Sequence, residues 1–413
     1  MSRNVVIIGG GFGGLAAAKA LKKEDVRITL IDKTNHHLFL PLLYQVATTM
    51  LAPSDVAVPI REILRKQKNA RVIMGTVEKI DVYSKHVFAG GLEYDYDYLI
   101  ISGGSRSSYF GRDAWEEFAP SLKTLGDAIQ IREKILLSLE KAECDCSYEE
   151  SKKHLTFVVV GGGPTGVEVA GALADITKKM LKDFTKVKPA STRIILLEAL
   201  DRILCGFSPS LSAKGKKGLE ELGVEVRLNV RIIEINANDI LTDTGRIETE
   251  NVVWAAGARS QVFVQSIGTE TDKSGRVLVD GYCSVKAHPE IFVIGDAAVF
   301  MDSDRPLPAI APVAIQQGKY ASGVISGELS GQARKPFKYK DKGSIAIIGT
   351  HKAVLRRGKL EISGYLAWLI WMVLHIAVIA EFRNRFMVLA QWLWYYTTKR
   401  HGVRLITSQT PPK

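Results

Sequence analysis

Two stretches of this chain place glycines where a phosphate would sit. Residues 5–16 read VVIIGGGFGGLA and residues 158–171 read VVVGGGPTGVEVAG. In the first, an apolar run from Val5 to Ile8 leads into Gly9, Gly11 and Gly14 at GxGxxG spacing, and a helix-type sequence follows. Gly9 permits the tight turn, Gly11 lets backbone approach a pyrophosphate, and Gly14 lets the helix pack close to the strand. The helix start supplies free N–H groups to the phosphates. A second apolar run, RITLID, ends at Asp32, followed by Lys33; a carboxylate there can accept hydrogen bonds from a ribose.

The second stretch repeats the plan with Gly161, Gly163 and Gly166, and Pro164 falls near the helix start, where a missing N–H costs little. The run RIILLE ends at Glu198, 32 residues after Gly166, so the intervening helix must continue through TKKMLKDF or carry an inserted turn. A carboxylate at Glu198 accepts from a ribose 2′-OH and repels a 2′-phosphate, which favours NADH over NADPH. One chain with two such loops fits a tightly held flavin and an exchangeable nicotinamide brought face to face for hydride transfer.

The elements around these loops follow the same architecture. YDYLIISGGS (96–105) and VVWAAGA (252–258) each read as a strand ending in small residues, the second reaching Gly257. EIFVIGDAA (290–298) is a strand ending in Gly295 and Asp296, and Asp296 is placed to meet the flavin's ribityl or phosphate region. The expected fold class is α/β, two Rossmann-type dinucleotide-binding domains with a C-terminal helical membrane-attachment region. At 413 residues, 46% apolar and 24% charged, the composition is that of a folded globular protein. The opening MSRNVVIIGGG runs into a strand, so no signal peptide is expected, and the chain is assigned to a reducing, cytoplasm-like compartment.

The net charge of +11 is concentrated at one end: residues 334–413 carry 15 lysines and arginines against three acids, Asp341, Glu361 and Glu381. Within this tail, 362–380 (ISGYLAWLIWMVLHIAVIA) holds no formal charge and is apolar all round, as in deep core or lipid. Basic residues lie on both sides, Lys352, Arg356, Arg357 and Lys359 before, Arg383, Arg385, Lys399 and Arg400 after. A single span would place one basic cluster on the far side of the bilayer, so a segment that dips in or lies flat on an anionic leaflet is favoured. FMVLAQWLWYY adds the Trp and Tyr that prefer the headgroup boundary. A dimer interface is the alternative use of this surface. Nucleic acid is not expected, because the cations bracket Leu, Ile and Trp and do not form a polar groove.

With these residues in view, the chain resembles the type II NADH dehydrogenases, single-subunit, non-proton-pumping NADH:quinone oxidoreductases of the two-dinucleotide-binding-domain flavoprotein superfamily. The resemblance rests on NHHLFLPLLYQVAT (35–48), GGGPTGVEVAGALAD, IFVIGDAA and SGYLAWLIWMVLHIAVIAEFRNRFMVLAQWLW. It implies FAD and NADH as cofactors, a membrane quinone as acceptor, and attachment to the cytoplasmic face of the cell (inner) membrane. It also implies that Val77 in GTVEKID lies where backbone holds the flavin adenine, and that Glu168 stands beside the flavin as a proton relay. LPAIAPVAIQQGKYA (307–321) matches the helix lining the family's quinone pocket, but Pro312 replaces the first glutamine of the AQxAxQ-like pattern, leaving Gln316 and Gln317 as the polar candidates. The bland readings are a helix-dipole carboxylate for Glu168 and backbone hydrogen bonding for the glutamines.

The cysteines exclude close alternatives. Disulfide reductases need a redox pair soon after the first ribose carboxylate, and residues 33–64 contain none. Cys144 and Cys146 form a CxC in a polar linker with no nearby His, while Cys205 and Cys283 are scattered, so no metal site is expected. His36 and His37 could move protons or simply line the cofactor wall, and His375 reads as a satisfied polar group. The expected segments are 1–112 and 258–330 for FAD, 113–257 for NADH, and 331–413 for the anchor. The rival functions are a membrane flavin:quinone reductase with another donor, such as sulfide, and a non-enzymatic NADH-responsive flavoprotein.

Overall fold

A computed structural model describes residues 2–407 except 146, 188–190, 304, 399 and 401, so Cys146 and Lys399 lie outside the described residues. The chain divides into two compact units. The first comprises Met1–Leu38, Val58–Arg106 and Ala258–Lys340; the second comprises Phe39–Ala57, Ser107–Gly257 and Asp341–Lys413. The unit changes at 106/107 and 257/258 lie close to the segment limits at 112 and 257 read from sequence. Residues 39–57 and the basic tail from 341 onward group with the second unit, a long-range association that no local pattern announces.

In the first unit the four-residue run Val5–Ile8 is buried on both faces. Val5 and Ile7 pack with Ile28, Leu30, Ile100 and Phe292. Val6 and Ile8 pack on the opposite side with Ile31, Leu99, Ile101 and Val293. Continuous apolar character, where an exposed strand would alternate, is the mark of a covered parallel sheet. Arg3–Ile8 is the third strand in from each edge of the parallel core, pairing Val26–Asp32 on one side and Tyr98–Ile101 on the other. Ala70–Met74 extends one side and His288–Val293 the other, the latter bordered by the antiparallel Ser284–Val285. The helix Phe12–Ala20 leaves the first loop and packs on Ala311–Leu329 at near backbone contact: a Cβ on Gly318 would lie 2.2 Å from the Gly13 carbonyl oxygen.

The second unit repeats the plan with a four-stranded parallel sheet. Its order is Val224–Arg227, Arg193–Leu197, Thr156–Val160, Asn251–Trp254. The long spacing to Glu198 is resolved by the helix Pro164–Met180 running on through the 3₁₀ turn Leu181–Asp183.

The tail carries a sheet of its own. Ser344–Ile347, Ala353–Arg357 and Leu360–Gly364 form an antiparallel three-stranded sheet that sequence reading missed. Ile348, just beyond its first strand, presses on Gly215 and Gly218, while the Gly349 amide approaches Gly171 so closely that a Cβ there would meet it at 2.6 Å. The 19-residue apolar run is therefore divided: its first residues complete a strand, Gly364 turns the chain at φ +80°, and a helix occupies only Tyr365–Val378. Fourteen residues rise about 21 Å, short of a bilayer's hydrocarbon thickness of about 30 Å. Among the described residues no helix is long and apolar enough to cross a membrane. A second helix, Phe382–Thr398, follows after a break at Glu381, whose φ is +62°.

The two loop turns depend on the absence of a side chain at one position each. A Cβ on Gly14 would sit 1.9 Å from the Gly9 oxygen, and one on Gly166 would sit 1.8 Å from the Gly161 oxygen. Gly14→Ala and Gly166→Ala are each expected to destabilise the protein by roughly 2–4 kcal/mol, since backbone must move to admit the methyl. Thermal unfolding checks this, and unchanged melting of either variant contradicts the packing described.

Candidate active site

In the first unit the helix Phe12–Ala20 is capped by Gly11, with φ −73° and ψ −164°; in the second, Pro164–Met180 is capped by Gly163, with φ −70° and ψ 177°. Gly9 and Gly161 both have positive φ, +97° and +106°. A Cβ added at Gly11 or Gly163 would meet nothing within 4 Å, so both turns open onto free space at the helix N-terminus. There the first N–H groups lack intrahelical acceptors.

Each turn is fixed by the carboxylate that the sequence nominates for ribose. Asp32 Oδ2 accepts from the Gly10 amide at 2.6 Å, and Oδ1 accepts from the Thr34 amide and hydroxyl at 2.7 and 2.8 Å. Glu198 Oε2 accepts from the Gly162 amide at 2.6 Å, and Oε1 from the Leu200 amide at 2.9 Å. Bonds to an ionised acceptor are worth about 1.5–3 kcal/mol each. Both carboxylates keep further lone pairs for a ribose. The first turn has one more support absent from the sequence reading: His37 Nδ1 lies 3.0 Å from the Gly10 oxygen, with its ring edge-on to Phe12. Burial lowers the His37 pKa, which keeps the ring neutral and fits cofactor-wall packing.

The other residues expected on the flavin side belong to the first unit too. Lys33 is exposed beside Asp32, and Val77 is a buried residue opening the strand Val77–Asp81. Gly295 has φ +66°, and Asp296 next to it accepts from the Ser105 hydroxyl at 2.9 Å. Gln317, 1% exposed, accepts from the Gly295 amide through Oε1 at 2.7 Å. Gln316 makes a two-way bond with Lys340, donating to its carbonyl and accepting from its amide, both at 3.0 Å. Each amide thus has a backbone partner, and Gln317 sets the conformation of the Gly295–Asp296 turn.

The second unit holds Gly257 and Glu168. Gly257 has φ +67°, and a Cβ there would strike the Ser108 oxygen at 2.7 Å, so the strand exit needs glycine. Glu168 lies one turn into Pro164–Met180, part-buried. Loss of water around its carboxyl pushes its pKa up to about 8, against the pull of the Ile347 backbone amide. Ile347 comes from the three-stranded tail sheet. His375 is partnered as expected, with Nδ1 2.8 Å from the Trp371 oxygen, and burial lowers its pKa to about 4.

Residues 3–318 match the family described as pyridine nucleotide-disulphide oxidoreductase. Among the described residues the cysteine pair implied by that description is missing: Cys144 and Cys205 are exposed and Cys283 is buried, its thiol pKa pushed far up by burial. The chain is 44% identical to the type II NADH:quinone oxidoreductase NdhA of Mycobacterium tuberculosis, over 98% of this chain and 89% of that protein. It is 40% identical to a second enzyme of that organism, Ndh, over 98% and 90%.

The chain belongs to the type II NADH:quinone oxidoreductases. It is therefore an enzyme, a flavoprotein oxidoreductase that uses FAD and NADH. The fold agrees with that of the NDH2 of Plasmodium falciparum solved in complex with NADH, with a TM-score of 0.89, 22% identity, and coverage of 96% of this chain and 98% of that one. Both turns fit a dinucleotide, since each combines an open glycine cap, helix N–H groups without intrahelical acceptors and a carboxylate with spare acceptor capacity.

Two substitutions test this assignment. Gly11→Ala is expected to leave the fold intact, because its methyl meets no protein atom, yet to lower the flavin content of purified protein; absorbance per chain measures it. Glu198→Gln keeps an acceptor for the Gly162 amide but removes the charge facing a 2′-phosphate. It should reduce the NADH-over-NADPH preference by roughly tenfold, about 1.4 kcal/mol. An unchanged ratio of kcat/KM values would show that Glu198 does not read the ribose.

Proposed function

We propose that the first unit holds FAD through Gly9, Gly11, Gly14, Asp32, Lys33, Val77, Gly295 and Asp296, and the second holds NADH through Gly161, Gly163, Gly166, Glu198 and Gly257. The observation that carries this reading is the duplicated turn with its carboxylate-to-glycine hydrogen bond, built twice by unrelated residues. When bound, FAD supplies the two-electron chemistry, accepting hydride from NADH and reducing the quinone. The protein's residues hold, orient and protonate. Gln317 positions the turn bearing Asp296 and, with Gln316, is the polar candidate for meeting the quinone.

Glu168 is the proton donor of the acceptor half-reaction. With a pKa near 8 its carboxyl is neutral at pH 7 and can hand a proton to a reduced quinone oxygen, then refill from solvent. Because the pKa is raised, the competent acid form is present below pH 8 and is lost as pH climbs through that value. Glu168→Gln is expected to leave reduction of bound flavin by NADH intact and to slow quinone reduction by about 10²-fold. The alkaline fall near pH 8 should vanish with it. Equal loss of both half-reactions would refute the role.

The tail seats the enzyme on the cytoplasmic leaflet of the cell membrane without crossing it, where a lipid-soluble quinone is met. Ala367, Trp368 and Trp371 of one helix and Val388, Trp392 and Tyr395 of the other face the protein. The remaining faces carry Leu366, Leu369, Val373, Phe382, Phe386 and Leu393 in the open, Val373 at 70% and Phe382 at 81% exposure. Exposed Arg383 and Arg385 accompany them, and exposed Arg356, Arg357 and Lys359 lie at the end of the central tail strand and in the turn after it, a pattern that suits anionic headgroups around an apolar patch. Lys352 is paired with Glu221 and contributes less. Truncation is a poor test, because removing the tail also removes Ile347 and the buried Trp392. Val373→Glu with Phe386→Glu should keep flavin and melting temperature while abolishing flotation with anionic vesicles. Retained flotation, or a shift from dimer to monomer in its place, would assign the surface to a second copy of the chain.

A further inference from the structure

The segment 108–112 of the second unit holds one aromatic ring in the open while its neighbours are fastened. Tyr109 is buried, stacks on Trp254 with ring centres 5.0 Å apart, and donates its hydroxyl to the Ala119 oxygen at 2.8 Å. The Trp254 indole in turn donates to the Ser108 oxygen at 3.0 Å. On the other side the Arg112 amide closes a turn by donating to the Tyr109 oxygen at 3.0 Å, and the Arg112 guanidinium lies over the Trp115 ring. Phe110, inside that turn, is 70% exposed.

The two central residues of the turn are Phe110 and Gly111, with φ +53° and +88°. Positive φ at both central positions is the habit of type I′ turns, which Gly, Asn and Asp normally fill; a bulky side chain there is strained. The ring gains little from burial in return. A residue that its own turn disfavours and its own chain leaves in water is the kind found at ligand clamps, where strain is retained for contact with something outside the chain.

The sheet shows which ligand this position meets. Thr156–Val160, which leads into the Gly161 turn, lies between the strand that precedes Glu198 and the strand Asn251–Trp254. A dinucleotide lies across the carboxyl ends of such strands with its pyrophosphate at the glycine turn. Its adenosine ribose meets the carboxylate on the Arg193–Leu197 side, so its nicotinamide half extends to the Asn251–Trp254 side. Phe110 stands on that side. A Cβ on Gly161 would lie 3.0 Å from the Ala255 backbone, and one on Gly257, two residues further on, would lie 2.9 Å from Phe110 Cζ. The Phe110 ring also meets Trp254 edge-on, with centres 6.3 Å apart.

We infer that Phe110 is a binding residue for the nicotinamide end of NADH, its ring packing on the nicotinamide once the dinucleotide is seated. The inference rests on the second unit holding NADH. A flat apolar ring suits a flat heteroaromatic partner, and a turn anchored on both flanks presents it at a fixed place. The bound nucleotide covers the ring and supplies the burial that the chain itself does not.

The test uses the flavin-loaded enzyme and two ligands that donate no hydride, NAD⁺ and ADP-ribose, the second lacking the nicotinamide. Both are titrated calorimetrically, without turnover. Phe110→Asn suits the turn and removes the ring, so it should melt no lower than the parent while losing about fivefold in NAD⁺ affinity. Its ADP-ribose affinity should equal the parent's. Phe110→Tyr keeps the ring and should bind NAD⁺ as the parent does. Unchanged NAD⁺ affinity in Phe110→Asn overturns the inference, as does an equal loss for both ligands, which would make the residue a support of the turn alone. Glu198→Ala controls for the placement of NADH and should weaken ADP-ribose by about tenfold. If it does not, NADH is held elsewhere and the inference falls with that reading.

Discussion

A short hydrogen bond from a glycine amide to a carboxylate at the end of the neighbouring strand governs both halves of this molecule. Asp32 holds Gly10 and Glu198 holds Gly162, each at 2.6 Å. The bond ties the loop to the sheet, so the helix start and the acidic group present themselves together. It can form only because the helix passes almost in contact with the preceding turn, where Gly14 and Gly166 leave room for backbone alone. Remove that closeness and the amides at the helix start and the carboxylate are no longer parts of one surface.

The remaining chemistry is arranged by burial. In the second unit a carboxyl is placed where water is scarce, which shifts Glu168 into the neutral form at working pH. It is met by segments far apart in sequence: 39–57 supplies Tyr44 and the tail sheet supplies Ile347, while the helix Phe382–Thr398 holds Gln45 of that same stretch through Trp392. Asn384 on that same helix donates to the carbonyls of Ser54 and Asp55 at 2.8 and 2.9 Å, fastening its other end to the same stretch. The tail thus has two faces with different duties, one completing the interior around Glu168 and one left apolar toward the outside. That dual use explains why an apolar run of apparent spanning length folds as a strand end plus a 14-residue helix.

How much of this was legible depended on how local each cause is. Both glycine turns could be read from spacing, because turn, helix start and carboxylate lie within a few dozen residues and each has a steric reason. The apolar run at 362–380 was legible as a surface that avoids water, but its break was not, since Gly364 and Glu381 adopt positive φ for reasons set by the sheet before and the packing after. For Gln316 and Gln317 the sequence left backbone bonding and quinone contact both open; the backbone partners, at Lys340 and Gly295, lie some twenty residues away in either direction. His37 left two readings open, and only its approach to the Gly10 oxygen decided for the loop. The grouping of 39–57 with the second unit depends on packing against Leu125–Cys144 and Pro164–Met180 and on side chains more than 300 residues away, which no periodicity records.

The central claim is that one chain binds two nucleotides and transfers electrons between them to a quinone without a thiol. Anaerobic stopped-flow absorbance of the intact enzyme examines it directly, mixing with NADH first and a soluble quinone second. The account predicts that the flavin band bleaches on the first mixing and returns on the second, equally well after the exposed cysteines are alkylated. Flavin that stays oxidised in excess NADH, or a return of colour that alkylation prevents, would contradict it.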